Sequence, residues 1–335
     1  MSLKIGIARR SGLRLSAMIA FTAIFFGAIV FGQNESVAGQ NGNVRAQEQS
    51  DNVVRVNVNL VLVDATVKTK SGQIMADLKK SDFDVREDGV SQKVEIFSRD
   101  ELPLDVALVL DLSDSIGPFL GPLRDAANTA LAALKPDDEV ALFTFATEAE
   151  MRVPFTRDRS KITEEINSFK ARGATNINDG IFVAAKYLLL NAVPKGRRVI
   201  ILISDDVGTS AGGEGTRDIV TESIAADAVL YNLKIPGENG PGTYLMQSMT
   251  PGLVDIHKVM DATGGEIFDV KNVANLGSAF QALIERIKTR YTLGYYTDAH
   301  SVDAKPHKLD VTLVPSFGKK GKDYVVMAKN GFFVH

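Results

Sequence analysis

Asp111, Ser113 and Ser115 stand in the segment DLSDS, directly after the apolar run Val106–Leu110. Thr175 stands in RGATNIND, and Asp205 closes a second apolar run, Val199–Ile203. Two carboxylates and three hydroxyls make an oxygen-only donor set. Such donors suit hard divalent cations, and magnesium in particular keeps several waters in an octahedral shell. The hydroxyls can bind the ion directly while the aspartates hold it through bound water. A cation with so few direct anionic ligands stays electron-poor and seeks a carboxylate from outside. That is chemistry for binding rather than for turnover.

Elements must bring these distant side chains together. From Pro103 to about Arg290, apolar strands alternate with amphipathic helices. Val106–Leu112, Val140–Phe145, Val199–Ser204, Val229–Ile235 and Glu266–Asp269 read as strands. Leu120, Leu123, Ala127 and Leu131 repeat at helical spacing, as do Ile177, Ile181, Ala184 and Leu188, and later Leu276, Phe280, Leu283 and Ile287. Such alternation predicts an α/β fold, a doubly wound and mostly parallel sheet with helices on both faces. In open sheets of this kind, ligands bind beyond the carboxyl ends of the strands, where strand order reverses. Asp111 and Asp205 end strands, the serines follow at once, and Thr175 precedes a helix beginning near Ile177. All five are therefore expected at one edge of the sheet.

β segments flank this core. Residues 53–100 are β-rich: a long strand over 53–67, then SDFDVRE and VSQKVEIF joined through Asp88-Gly89, the strongest hairpin signal in the chain. Residues 291–335 form a β tail, with YTLGYYT, HKLDVTLV and KDYVVMA as strands and a turn at 317–321. A stable sheet usually needs three or more strands. The simplest arrangement pairs 291–335 with 53–100 in one β-sandwich-like module, with the domain of residues 103–290 inserted between them.

The segment 103–290 resembles a von Willebrand factor type A domain with a metal-ion-dependent adhesion site. The family pattern is Asp-x-Ser-x-Ser, a threonine before a helix, and an aspartate after an apolar strand; Asp111, Ser113, Ser115, Thr175 and Asp205 match it in order. The resemblance implies magnesium at these five residues, with manganese or calcium as alternatives. It also implies a protein partner that presents an acidic group. The family commonly has glycine where this chain has Asp206. That side chain is expected to face solvent; the alternative is an accessory carboxylate at the metal. DLKKSDFDVREDGVSQKVEIFSRDELPLDVALVLD and TRYTLGYYT are similar to a group of exported bacterial proteins abundant in acidobacteria.

Composition bounds the rest. The net charge of −3 falls further without the N-terminal segment, which holds Lys4, Arg9, Arg10 and Arg14 and no acid. An acidic body argues against nucleic acid as a partner. The chain has no cysteine, which excludes disulfides, thiolate metal sites and thiol nucleophiles. Basic residues followed by the uncharged stretch Leu15–Phe31 predict that residues 1–32 are a secretory signal, or an anchor if uncleaved. Residues 33–52, rich in Gln and Asn, read as a disordered linker. The expected location is periplasmic or extracellular, with any membrane attachment through residues 15–31.

The segment Pro236–Gly252 reads as a long loop on the metal face, and its Tyr244, Leu245, Met246 and Met249 are candidates for a partner surface. His257, His300, His307 and His335 are scattered without HExxH or other metal spacing and read as surface or packing residues. There is no phosphate-loop pattern, and no catalytic residue is assigned. The function expected is an exported, metal-dependent, adhesion-type binding module. An envelope assembly subunit with incidental metal is the alternative, and a metal-assisted hydrolase the remote one.

Overall fold

The structure is a computed structural model that describes residues 59–99, 102–192, 196–297, 305–315 and 324–334. The expected signal or anchor, the linker, the beginning of the first strand, the turn at 317–321, and His300 and His335 lie outside the described residues. Among the described residues no helix is long and apolar enough to cross a membrane.

Four strands come first: β1 (Asn59–Thr69), β2 (Phe83–Glu87), β3 (Val90–Gln92) and β4 (Ile96–Arg99). The central segment follows as β5 (Leu104–Asp111), α1 (Leu120–Ala133), β6 (Glu139–Phe145), β7 (Ala149–Thr156), α2 (Arg159–Ser168) and α3 (Ile177–Asn191). It continues with β8 (Arg197–Ser204), α4 (Thr216–Ala225), β9 (Ala228–Lys234), α5 (Pro241–Met249), α6 (Ile256–Thr263), β10 (Glu266–Asp269) and α7 (Leu276–Lys288). The tail adds β11 (Tyr291–Thr297), β12 (His307–Leu313), β13 (Tyr324–Ala328) and β14 (Gly331–Phe332).

The central sheet has the order β10-β9-β8-β5-β6-β7 and is parallel except for β7, which pairs antiparallel with β6. Its strands are apolar on both faces because helices cover both. On β5, Val106, Leu108 and Leu110 join the core with α1 and α7, while Ala107 and Val109 join the core with α3, α4 and α6. The chain builds outward from β5 in one direction and from β8 in the other. Strand order therefore reverses between these neighbours, and the crevice beyond their carboxyl ends is the expected ligand position. Sequence periodicity did not register β7 or α2. Edge strand β7 has no fully buried residue, so its pattern carries no clear apolar face.

The flanking strands mix in two antiparallel sheets, β13-β1-β11-β4 and β14-β12-β2-β3. Each sheet contains strands from before and after the central segment, as the pairing β1–β11 and β2–β12 shows. Val61, Val63, Ala65 and Val67 of β1 pack with Phe83, Val85, Leu309 and Val311 of the other sheet in one core. One expectation changes here. VSQKVEIF is not a single hairpin strand: β3 ends at Gln92, and β4 crosses to the other sheet beside β11. Val94, at the crossing, is buried. Such sheet-switching is how a sandwich turns a corner.

A polar cluster joins the β strands to the central segment. Arg197, at the start of β8, donates through Nε to Asp64 of β1 (2.8 Å) and through a terminal nitrogen to the carbonyl of Ile287 (2.6 Å). Arg290, almost fully buried, donates to Tyr231 Oη, to the Gly264 carbonyl and to the Asp64 carbonyl. Thr292 donates to the second Asp64 oxygen (2.7 Å). Burial alone would raise the Asp64 carboxyl, but the Arg197 and Arg290 charges outweigh it and hold it below the usual carboxylate range. Gly264 ends α6 in the left-handed region (φ 74°), and a Cβ there would sit 2.4 Å from the Ala328 backbone. Only glycine fits that junction.

Candidate functional site

Asp111 ends β5 and Asp205 follows β8, so the reversal of strand order puts both carboxylates in the same crevice. Asp111 is fully buried. One of its oxygens accepts from the Ser113 backbone N–H (2.8 Å), the other from Ser204 Oγ (2.7 Å). Ser113 Oγ lies 3.2 Å from Ser115 Oγ, and Ser115 donates to Asp205 Oδ2 (2.7 Å). Asn239 donates to that same oxygen (2.8 Å), and the Val207 N–H donates to Asp205 Oδ1 (3.0 Å). Asp111, Ser113, Ser115 and Asp205 are thus linked by one chain of hydrogen bonds.

Thr175 is placed through its backbone. Its carbonyl accepts from the N–H groups of Thr209 and Ser210, and its own N–H donates to Thr209 Oγ1. On the other side, Arg172 N–H donates to the Leu112 carbonyl and Asp114 N–H to the Gly173 carbonyl. The loop before α3 is therefore held between DLSDS and the segment after Asp205. Asn176 caps α3 by accepting from Asp179 N–H (3.3 Å), which fixes where the helix begins. Fully buried Asn178 ties the rim together: it donates to the carbonyls of Glu214 and Gly252 and accepts from Val254 N–H.

Burial and the neighbouring Asp205 charge push the Asp111 carboxyl up to about 7, against hydrogen bonds that lower it. Among the described residues, no basic side chain contributes to that balance. A buried pair of like charges without a cation is costly, and a divalent ion would supply the missing positive charge. The donor set fits a hard cation: oxygen atoms only, two of them carboxylates held in place by neighbouring N–H and O–H groups.

Asp206 does not face solvent as expected. Its backbone is left-handed (φ 64°), a region that glycine enters freely and aspartate tolerates. Both of its carboxylate oxygens accept from Asn232 (2.9 and 2.8 Å), and Lys234 Nζ lies 3.8 Å away. Burial pushes its carboxyl up to about 6, opposed by Asn232 and Lys234. It is thereby turned toward β9.

The segment Pro236–Gly252 is not simply a loop, because it contains α5. Gly240 precedes it and Pro241 opens it, a favourable first residue for a helix. None of its residues is buried: Tyr244, Leu245, Met246 and Met249 are 54%, 60%, 56% and 73% exposed. The turn before α5 is built into the site. Glu238 N–H donates to the Ser115 carbonyl, and a Cβ on Gly237 would lie 1.9 Å from Asp205 Oδ2. Gln247 reaches the Asp206 carbonyl (3.1 Å). Sequence reading missed Ser204 and Asn239; the first is adjacent to Asp205, but the second carries no sequence signal.

The sequence model described as von Willebrand factor type A domain matches residues 106–208. This stretch of the central segment matches the von Willebrand factor type A family. The match runs from β5 to just past Asp205 and includes Asp111, Ser113, Ser115 and Thr175. Among solved structures, the chain resembles a von Willebrand factor type A structure from Catenulispora acidiphila at 13% identity, TM-score 0.45, over 78% of this chain and 64% of that one. It also resembles BatB from Bacteroides thetaiotaomicron at 18% identity, TM-score 0.42, over 55% and 97% of the two chains. The vWF domain of the type V pili tip protein Mfa5 from Porphyromonas gingivalis gives 12% identity and TM-score 0.38, over 56% and 95%. No curated protein matches the chain.

Proposed function

We propose that this chain is an exported protein-binding module that captures a partner carboxylate through a divalent cation held by Asp111, Ser113, Ser115, Thr175 and Asp205. The carrying observation is the buried Asp111–Asp205 pair, joined by serine hydroxyls and compensated by no basic side chain. Magnesium suits the site best, and manganese or calcium would meet the same oxygen donors. When bound, the ion supplies an open coordination position for an acidic group of a partner protein. The protein's own residues do the positioning. Ser204 and the Ser113 N–H orient Asp111, while Asn239 and the Val207 N–H orient Asp205.

The exposed apolar residues of α5 stand beside the crevice and supply contact area for the partner, since a cluster of this kind on a helix without buried residues serves neither core nor solubility. Residues 1–32 direct export, 33–52 form the linker, 53–100 and 291–335 make the β module, and 103–290 is the binding domain.

Two measurements test this reading. Calorimetric titration with magnesium and manganese should show one site in the wild type, lost in Asp111→Ala and Asp205→Ala. Capture of a partner from envelope extract should then disappear with chelator and in both variants. Complexes that survive both changes would mean an assembly scaffold with incidental metal. Magnesium-dependent turnover of a hydrolysable substrate would mean an enzyme.

A further inference from the structure

A second cluster lies in the β module, built around the Asp88-Gly89 turn. Glu87, Asp88 and His307 each present one donor atom, and these atoms lie within 4.8 Å of one another. His307 Nδ1 is 2.9 Å from Asp88 Oδ2 and 3.8 Å from Glu87 Oε1. These separations bracket the edge of a tetrahedron with ligand bonds of about 2.0–2.1 Å. Each group is already oriented by a neighbour. Asp88 Oδ1 accepts from the Lys308 N–H (2.9 Å), which leaves Oδ2 toward the imidazole. Glu87 Oε1 accepts from Thr297 Oγ1 (2.8 Å). The His307 ring stacks on Phe332 at 5.3 Å, which fixes its plane.

The independent observation is an orphan. Glu87 is only 7% exposed, and its Oε2 is buried without a hydrogen-bond partner. The hydroxyl of fully buried Tyr295 lies beside this carboxylate and brings no positive charge to it. A buried carboxylate oxygen left bare is costly unless something cationic completes it. Nothing on the three side chains themselves supplies that, because the imidazole faces Asp88 at the shorter distance.

We propose that Glu87, Asp88 and His307 form a second cation site, selective for a borderline divalent ion such as zinc over magnesium. One imidazole nitrogen with two carboxylates suits zinc, whereas the oxygen-only crevice of the type A domain suits magnesium. The two sites would therefore load different metals. The β-module ion would clip the β2–β3 turn to the start of β12, since its ligands come from both. Its ligands are about 220 residues apart, so no short motif announces it, and His307 reads in sequence as a packing residue.

The test uses the full chain without a histidine tag, stripped by chelator and held in saturating magnesium, then titrated with zinc chloride in a calorimeter. Wild type and Asp111→Ala should both bind one zinc. Asp88→Asn, which keeps a residue suited to the left-handed turn, and His307→Phe, which keeps the stack on Phe332, should each bind at least about 10-fold more weakly. Zinc should raise the melting temperature of the wild type and not of either variant. The proposal is overturned if the wild type binds no zinc, or if both variants bind it as the wild type does, the result expected when His257, His300 or His335 captures the ion. Because Asp88 is an exposed turn residue, loss of folding in His307→Phe leaves Asp88→Asn to decide.

Discussion

Two aspartates at opposite ends of the central sheet meet opposite fates. Asp64 sits against the start of β8, where Arg197 and Arg290 surround it and hold its carboxyl below the usual range. Asp111 sits by the far end of the same strand, bonded to Ser204, with Asp205 as its charged neighbour and its carboxyl pushed up to about 7. Both are desolvated. The difference is the source of the compensating charge: the protein provides it internally at the junction with the β module and withholds it at the crevice. A charge completed from within glues two parts of one chain. A charge left incomplete is what the proposed cation, and through it the proposed partner, would answer.

The comparison can be broken most severely at the junction. Arg290→Met leaves Asp64 with less of its compensation and bares the carbonyls of Asp64 and Gly264; a loss of about 3–5 kcal/mol is expected, read by chemical denaturation. Cation affinity in the folded fraction should be unchanged. At the crevice the order inverts. Asp111→Asn should cost cation binding on the order of 100-fold while stabilising the cation-free protein, because it removes an uncompensated buried charge. A melting temperature in chelator that falls below wild type would contradict this account of Asp111.

Gly237→Ala tests the same pocket more gently. Its methyl group would drive into Asp205 Oδ2, so a loss of about 10-fold in cation affinity is expected with the fold intact. The pH response separates the two carboxylates further. The folded pKa of Asp64 is depressed, so its contribution is complete above the ordinary value of about 3.9 and is lost as pH falls through the folded value. Asp64→Asn should therefore lose stability at neutral pH and show a flatter stability profile in acid below about pH 4. The smallest effect is expected on α5. Met249→Ser with Leu245→Ser should change stability by no more than about 0.5 kcal/mol, because neither residue is buried, yet should weaken partner capture.

Much of this was legible because periodicity reports burial. The strands β5, β6, β8 and β9 are apolar on both faces, and the helices that cover them carry regular apolar stripes. DLSDS and Asp205 were readable because they directly follow two of those strands, at which point the fold itself turns toward the crevice. What escaped had no periodic signature. Edge strand β7 has no buried residue and α5 has no buried face, so neither announces itself. VSQKVEIF reads as one strand because a change of sheet at Val94 leaves the alternation of residue types undisturbed.

By itself, then, the sequence determined the alternation of strands and helices, the five oxygen-bearing residues after strands and before a helix, and the completion of the early β segment by the tail. These are local consequences of residue type and spacing, which fix period, caps and turns. Only the tertiary structure decided how charges are answered. Asp64 meets Arg197 and Arg290 across 133 and 226 residues of chain, Asn239 reaches Asp205, and Asp206 is drawn to Asn232 rather than to solvent. Electrostatic energy depends on distance in space and on access to water, and neither is written in the order of residues.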